Sequence, residues 1–261
     1  MMEAAGCLEE VKGAEMVLVG LGEEFDVPKK IRLDERYRKG RERLKGAGLG
    51  WLVPVWNEFC SKEEDVSGEL EKLANLLKDS NYFVVSVCTD SLVRTAPWKS
   101  GRLVMPCGST DRKQCSCGCE EALYDVTTED KDRLLEFMKN LAGGNLKELS
   151  EPYLGVCPKC GEPLVLNHAY AKHYVERGYL EQWERYRRWL QGTLNRRLVV
   201  LELGVGMRFP SVIRWPFERV AFLNQKARFY RIHETLYQLD EKLSGKGCGF
   251  SKNAIDWLSE L

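Results

Sequence analysis

Five cysteines fall in two tight groups: Cys115, Cys117 and Cys119 in QCSCGC, and Cys157 and Cys160 in CPKCG. The second group reads as a metal knuckle, because a Cys-x-x-Cys step closed by glycine makes a tight turn whose amides point at the thiolates. A second pair would complete a tetrahedral four-thiolate zinc site. Two of the three cysteines in the first group suffice for that, as Cys-x-Cys or as Cys-x-x-x-Cys. Four thiolates leave zinc no open position for water, so such a metal is structural and steadies a small lobe. A redox dithiol is the competing reading, but neither group opens a helix in a thioredoxin-like pattern. His168 and His173 follow the knuckle and read as surface or crevice residues.

The second chemical signal is a set of glycine turns and acids at the ends of apolar runs. EMVLVGLG at 15–22 reads as a buried strand that turns into a helix start, where glycine lets the backbone approach a ligand and free amides favour an anion. NYFVVSVCT at 81–89 is a second such strand and stops at Asp90. LVVLEL at 198–203 is a third and runs into Gly204-Val205-Gly206, and RFYRIH at 228–233 is a fourth. Between the first two, Leu70, Leu73, Leu76 and Leu77 recur at helical spacing. Residues 28–47, crowded with Lys, Arg and Glu, read as a solvated helix or loop that Gly46, Gly48 and Gly50 break.

Strands that are apolar throughout and separated by helices belong to a parallel sheet covered on both faces. The chain is therefore read as α/β, with a Rossmann-like sheet. In such sheets the ligand crevice lies beyond the carboxyl ends of the strands, where Gly20, Gly22, Asp90, Gly204 and Gly206 all converge; this points to a nucleotide site. Arg208 and Arg214 flank the last crevice loop and can meet phosphate there or form surface ion pairs. In WERYRRWL at 183–190, Trp183, Tyr186 and Trp189 form a stripe that reads as core packing more readily than as a base-stacking platform.

Composition excludes several classes of function. The chain has 261 residues, enough for a substantial core, and its 39 Lys and Arg balance 39 Asp and Glu, so no net field draws it to nucleic acid or an anionic membrane. No apolar run approaches the roughly 20 residues that span a bilayer. The start, MMEAAGCLEE, is acidic and lacks the basic and apolar regions of a secretory signal. A reducing, cytoplasmic setting is expected, and the ten cysteines are read as metal-held, buried or chemically used thiols.

The order of glycine turn, strand ending in Asp90, Cys107-Gly108-Ser109, two cysteine groups, LELGVG and PFE resembles the sirtuins, the NAD-consuming deacylases and ADP-ribosyltransferases. QCS, LYD, CPKCGEPLVLN, YVERGYLEQWERYRRWL and LVVLELGVGMRFPSVIRWPFERVAFLN are most similar to the class M sirtuins of microbes. The resemblance implies an NAD domain over residues 1–104 and 172–261, with a small zinc-binding lobe over 105–171 inserted in it. It implies Cys115, Cys119, Cys157 and Cys160 as the zinc ligands, with Cys117 as a substitute. It further implies that Gly20, Leu21, Gly22 and Glu23 line the pyrophosphate and ribose of NAD, that Asp90 lies near the nicotinamide side, and that Gly204, Val205 and Gly206 face the adenosine ribose. The strand at 229–232 would lie near adenine. By the same resemblance the partner is a protein acceptor of the lipoyl-carrying kind.

The chain also departs from the family pattern. Cys88 stands where the family has asparagine, Cys107 where deacylating members have His and class M members Gln, and Ala169 where class M proteins have a reactive Arg. Leu21 and Glu23 replace the usual alanine and serine of the first glycine loop. The expected activity is therefore NAD-dependent ADP-ribosyl transfer to a protein, or NAD hydrolysis, with Asp90, Cys107 and Cys88 nearest the reacting sugar carbon. The alternatives are a regulatory module that holds NAD or ADP-ribose without turnover, and an NAD-dependent deacylase.

Overall fold

The computed structural model describes residues 4–62, 65–144 and 152–261. Helix α1 (Ala4–Gly13) leads into strand β1 (Met16–Leu21), followed by α2 (Lys29–Leu33), α3 (Glu35–Gly46), α4 (Val53–Ser61), α5 (Ser67–Leu77) and β2 (Tyr82–Ser86). Next come α6 (Ser91–Thr95), β3 (Leu103–Val104), β4 (Gly108–Cys115), β5 (Tyr124–Asp125), α7 (Thr128–Ala142) and β6 (Leu164–His168). The chain closes with α8 (Leu180–Gln191), β7 (Leu198–Leu203), α9 (Arg214–Leu223), β8 (Arg228–His233), β9 (Gly247–Ser251) and α10 (Ala254–Ser259).

The four strands read from the sequence are β1, β2, β7 and β8, and they form the middle of a six-stranded parallel sheet in the order β3-β2-β1-β7-β8-β9. The chain moves outward from β1 on one side and from β7 on the other, so the strand order reverses between them. That reversal opens a crevice at their carboxyl ends. Both faces of the sheet are covered, which is why these strands are apolar at nearly every position. Val17, Val19 and Leu21 pack with Leu70, Leu73 and Leu77 of α5 and with Trp257 of α10. Leu18, Phe83, Val85 and Val200 face Tyr186 and Trp189 of α8 and Phe217 of α9. The aromatic stripe of α8 is thus core, its Tyr186 and Trp189 rings 5.4 Å and 5.8 Å from that of Phe83.

One charge cluster interrupts the apolar sheet. Glu202 on β7 and Arg231 on β8 are 0% and 1% exposed and pair in register, with Nε to Oε1 at 2.6 Å and Nη2 to Oε2 at 3.1 Å. Glu218 of α9 takes the same guanidinium at 2.7 Å, and Arg214 stands 3.6 Å from Glu202. Burial holds the Glu202 carboxyl above its usual range against these partners. Removing one side of such a pair strands the other charge in the core. Arg231→Leu is therefore expected to destabilise the protein by about 3–5 kcal/mol, whereas the double change with Glu202→Leu costs much less, as denaturant titration of the three proteins will measure.

A second, three-stranded antiparallel sheet, β5-β4-β6, carries its own core of Leu134, Phe137, Met138, Leu164 and Leu166. The segment read as solvated over 28–47 belongs to this core. On α3, Tyr37, Gly40 and Leu44 are buried at helical spacing beneath a charged outer face. A Cβ on Gly40 would lie 2.3 Å from the Trp56 ring, and Tyr37 donates a hydrogen bond to Asn57 at 3.0 Å. Residues 29–61 therefore pack with the lobe placed over 105–171, although they lie far from it in sequence. Among the described residues, no helix is long and apolar enough to cross a membrane.

Candidate functional site

The crevice between β1 and β7 is walled by two interlocking glycine loops. A Cβ on Gly22 would meet Gly204 O and the Val205 Cα, both at 2.2 Å, and Gly204 itself has φ +61. Only glycines allow the loops to lie this close. The space beside Gly20 is filled by Ile213 and Phe217, with a Cβ there 2.6 Å from the Ile213 methyl. The missing side chain at Gly20 thus lets α9 lie on the sheet. Leu21 and Val205 are core residues, so only their main chain is left to the crevice.

Glu23 and Glu24, which follow the first glycine loop, each capture backbone amides. Glu23 Oε2 accepts the Gly206 N–H at 2.6 Å and Oε1 the Arg208 N–H at 3.3 Å. Glu24, 1% exposed, accepts the amides of Glu234 at 3.1 Å and Ala254 at 2.7 Å. The amides of the 204–208 loop thus form an anion seat, with a carboxylate already in it. Beside it the Arg208 guanidinium lies 5.4 Å from the Tyr170 ring centre and donates to the Tyr170 hydroxyl, joining the large sheet's loop to the end of β6. Arg214 turns inward, donating to Val205 O and Leu236 O at 2.8 Å each; it is a structural residue, not a phosphate contact.

A nest of acids gathers at the carboxyl end of β2: Asp26 and Asp90, both buried, and the half-buried Glu58. Asp26 Oδ1 accepts the amides of Thr89 and Asp90 at 2.9 Å and 3.2 Å, fixing the turn that follows Cys88. Asp90 Oδ1 accepts Leu92 N–H at 2.7 Å as the N-cap of α6. Burial pushes Asp90 up, and burial with the nearby Asp90 charge pushes Asp26 up to about 7. Glu58 of α4, which accepts the Thr110 hydroxyl at 2.6 Å, is raised to about 8 by burial and then by Asp90. Neither Asp26 nor Glu58 carried a sequence signal.

The two substituted cysteines are less suited to chemistry than their positions implied. Cys88 is fully buried, its thiol 3.1 Å from Gly22 O, and Cys107 is 2% exposed. Burial, reinforced by the carboxylates of Asp26 and Glu23, drives both thiols well above their ordinary range. The attacking species in thiol chemistry is the thiolate, the form that burial disfavours at both positions. His168, read as a surface or crevice residue, is wholly buried, and burial pushes it down to about 4.

All five cysteines of the sequence motif come together. Cys115, Cys117, Cys119 and Cys160 have sulfurs within 4.8 Å of one another. Cys115 lies 3.3 Å from Cys117 and 3.5 Å from Cys160, and Cys119 lies 3.3 Å from Cys160. Cys157 reaches Cys119 at 3.5 Å and donates to Glu120 at 3.3 Å. Sulfurs on a tetrahedral zinc at about 2.3 Å stand about 3.8 Å apart, so this cage fits the metal. The knuckle forms as the sequence required, with Gly161 at φ +78 and its N–H donating to Cys157 O at 2.9 Å.

A reversed-order parallel sheet, with a crevice at its switch point and a thiolate-caged lobe beside it, is the sirtuin architecture, and the chain has the sirtuin fold. Solved Sir2 structures match nearly the whole chain. A Sir2 bound to acetylated peptide has a TM-score of 0.56 at 12% identity, covering 99% of this chain and 97% of that one. An ADP-ribose complex of a Sir2 homologue has a TM-score of 0.53 at 12% identity, covering 97% and 92%. Among curated proteins, a "Protein ADP-ribosyltransferase" of Staphylococcus aureus is 22% identical over 179 residues, 66% of this chain and 53% of that protein. A "Probable bifunctional ADP-ribose hydrolase/ADP-ribosyltransferase" of Fusarium oxysporum is 27% identical over 138 residues, 52% of this chain and 23% of that protein. The chain thus spans about half the length of one relative and under a quarter of the other. No protein-family model matches it.

Proposed function

We propose that the protein binds NAD across the β1–β7 crevice and transfers its ADP-ribosyl group to a protein acceptor or to water. The observation that carries this reading is the occupied anion seat: the Gly206 and Arg208 amides, in the loop that the resemblance turns toward the adenosine ribose, hold a carboxylate, and we read that seat as taking a phosphate of the dinucleotide, beside a nest of acids. In the reaction the bond between nicotinamide and ribose C1′ breaks, nicotinamide leaves with the bonding pair, and the acceptor bonds to C1′ and gives up its proton. Positive charge builds on the sugar as that bond breaks. The negative potential of Asp90 and, when ionised, Asp26 opposes it. Arg208 and the loop amides hold the diphosphate. The larger lobe is proposed to carry the NAD site and the smaller one the zinc, which clamps β4 to the 157–161 knuckle. The activities for which the relatives are named support the reaction class.

The test is incubation of the purified protein with NAD and candidate acceptors, following nicotinamide release and the mass of each protein. Asp90→Asn keeps an oxygen to cap α6 while removing the charge, and is expected to lower release about 100-fold with the fold intact. Absence of release by the wild type with every acceptor overturns the enzyme reading. A second reading, binding without turnover, is favoured by the suppressed ionisation of Cys88 and Cys107. It predicts stabilisation of about 2.7 kcal/mol at a hundredfold excess of ADP-ribose over its dissociation constant, with NAD unconsumed. A lipoyl-carrying acceptor is proposed on the class M resemblance alone, and Ala169 removes the Arg which that resemblance would use. A cytoplasmic setting is proposed on the free thiols.

A further inference from the structure

Glu23 and Glu24 are adjacent and both hold amides, yet they differ in how they can move. Glu24 is locked in the core, with His233 Nδ1 at 3.7 Å and Arg32 at 4.0 Å beside its amide partners. Glu23 is partly exposed, and its carboxylate rests against Gly206, where a Cβ would come within 3.0 Å of Oε2. The loops on either side are packed at main-chain contact through Gly22 and Gly204. Side-chain rotation toward solvent is the route that vacates the seat.

We infer that Glu23 is the specificity-determining residue of the crevice: its carboxylate is an internal stand-in for a ligand phosphate, and a diphosphate enters only by displacing it. The inference rests on the dinucleotide reading above. A phosphate and the Glu23 carboxylate compete for the same two N–H donors and repel each other when both are near. Charge-assisted hydrogen bonds of this kind are the strong ones, so the displacement lowers affinity for every diphosphate ligand. A ligand without phosphate does not meet Glu23 and is unaffected.

Calorimetric titration of the full chain with ADP-ribose, NAD and adenosine tests this, comparing wild type, Glu23→Ala and Glu23→Gln. Glu23→Ala is expected to bind ADP-ribose and NAD at least tenfold more tightly than wild type, with no gain for adenosine. Glu23→Gln keeps the side-chain length and one amide acceptor, so it retains the loop should the alanine variant misfold, and it is expected to tighten both ligands in the same direction. Equal or weaker ADP-ribose binding by the folded variants overturns the inference while leaving the dinucleotide site standing, as does an equal gain for adenosine. No binding of ADP-ribose or NAD by wild type or variants overturns the dinucleotide reading and the inference with it.

Discussion

Stripping metal from the cysteine cage is expected to unfold the smaller lobe while the six-stranded sheet stays folded. The two have separate cores: Cys115 and Cys157 belong to the cluster of Trp56, Leu134, Phe137 and Leu166, whereas β1, β2, β7 and β8 share the other two clusters. Structural zinc sites in small domains contribute roughly 10–16 kcal/mol of apparent binding free energy, and this lobe's own core replaces only part of that. Hydrogen exchange in the presence of a chelator should show β4, β6 and α7 losing protection while β1 and β7 keep theirs. The five thiols sharpen the test. Cys115, Cys119 and Cys160 form one tetrad with Cys117, whose four sulfurs lie within 4.8 Å of one another, and Cys157, 3.5 Å from Cys119, is the thiol expected to take the place of Cys117 when that is lost. Serine at any of those three should release the metal, whereas Cys117→Ser or Cys157→Ser alone leaves four thiols and should retain it. Loss of both should behave like loss of a shared ligand. A protein without bound metal on elemental analysis would remove the basis for this expectation.

The parts of the fold that were legible in the sequence are those fixed by local pattern. EMVLVGLG, NYFVVSVCT, LVVLEL and RFYRIH are apolar at successive positions because both faces of each strand are covered, and each became a central strand of one sheet. The cysteine knuckle is equally local, since its ligands and turn glycine lie within five residues. What was not legible depends on contacts distant in sequence. Tyr37, Gly40 and Leu44 are buried against Trp56 and α7, but Arg, Lys and Glu between them mask the stripe. Asp26 and Glu58 looked like ordinary acids because what buries them is the turn after β2 and the face of β4. Gly20 and Gly22 are two residues apart in one motif, yet one admits a helix and the other a loop; only the partners of each position separate the roles. A substitution in a motif was legible as a change. Its meaning was not, since the burial that raises the thiols of Cys88 and Cys107 above their ordinary range is not revealed by spacing.

The buried acids make stability and chemistry depend on pH in opposite senses. Asp26 is raised from an ordinary 3.8 to about 7, chiefly by burial and then by Asp90. Below pH 4 the group is protonated in both folded and unfolded chains and adds nothing to the pH dependence. Above that the unfolded chain ionises first, so stability falls as pH rises and levels off once the folded carboxyl ionises near 7. A shift of this size corresponds to roughly 4 kcal/mol. Glu58, raised to about 8, acts in the same direction, and the titration steps belong to the cluster with Asp90 rather than to single residues. Asp26→Asn presents the same Oδ1 to the Thr89 and Asp90 amides without an ionisable proton. Urea titrations at intervals from pH 4.5 to 8 should show wild type losing roughly 3 kcal/mol more than the variant over that range, the first part of the loss falling below pH 4.5, with Asp26→Asn the more stable protein at pH 8. Parallel curves would show that Asp26 does not hold its proton in the folded state. The same ionisation places a second negative charge beside Asp90, so nicotinamide release by the wild type should climb through about pH 7 while its stability declines, and the climb should vanish in Asp26→Asn. On the proposed reaction, the charge that opposes the fold is also the one that would steady the positive sugar as nicotinamide leaves, so burial of a carboxyl at this turn would have a chemical reason as well as a structural cost.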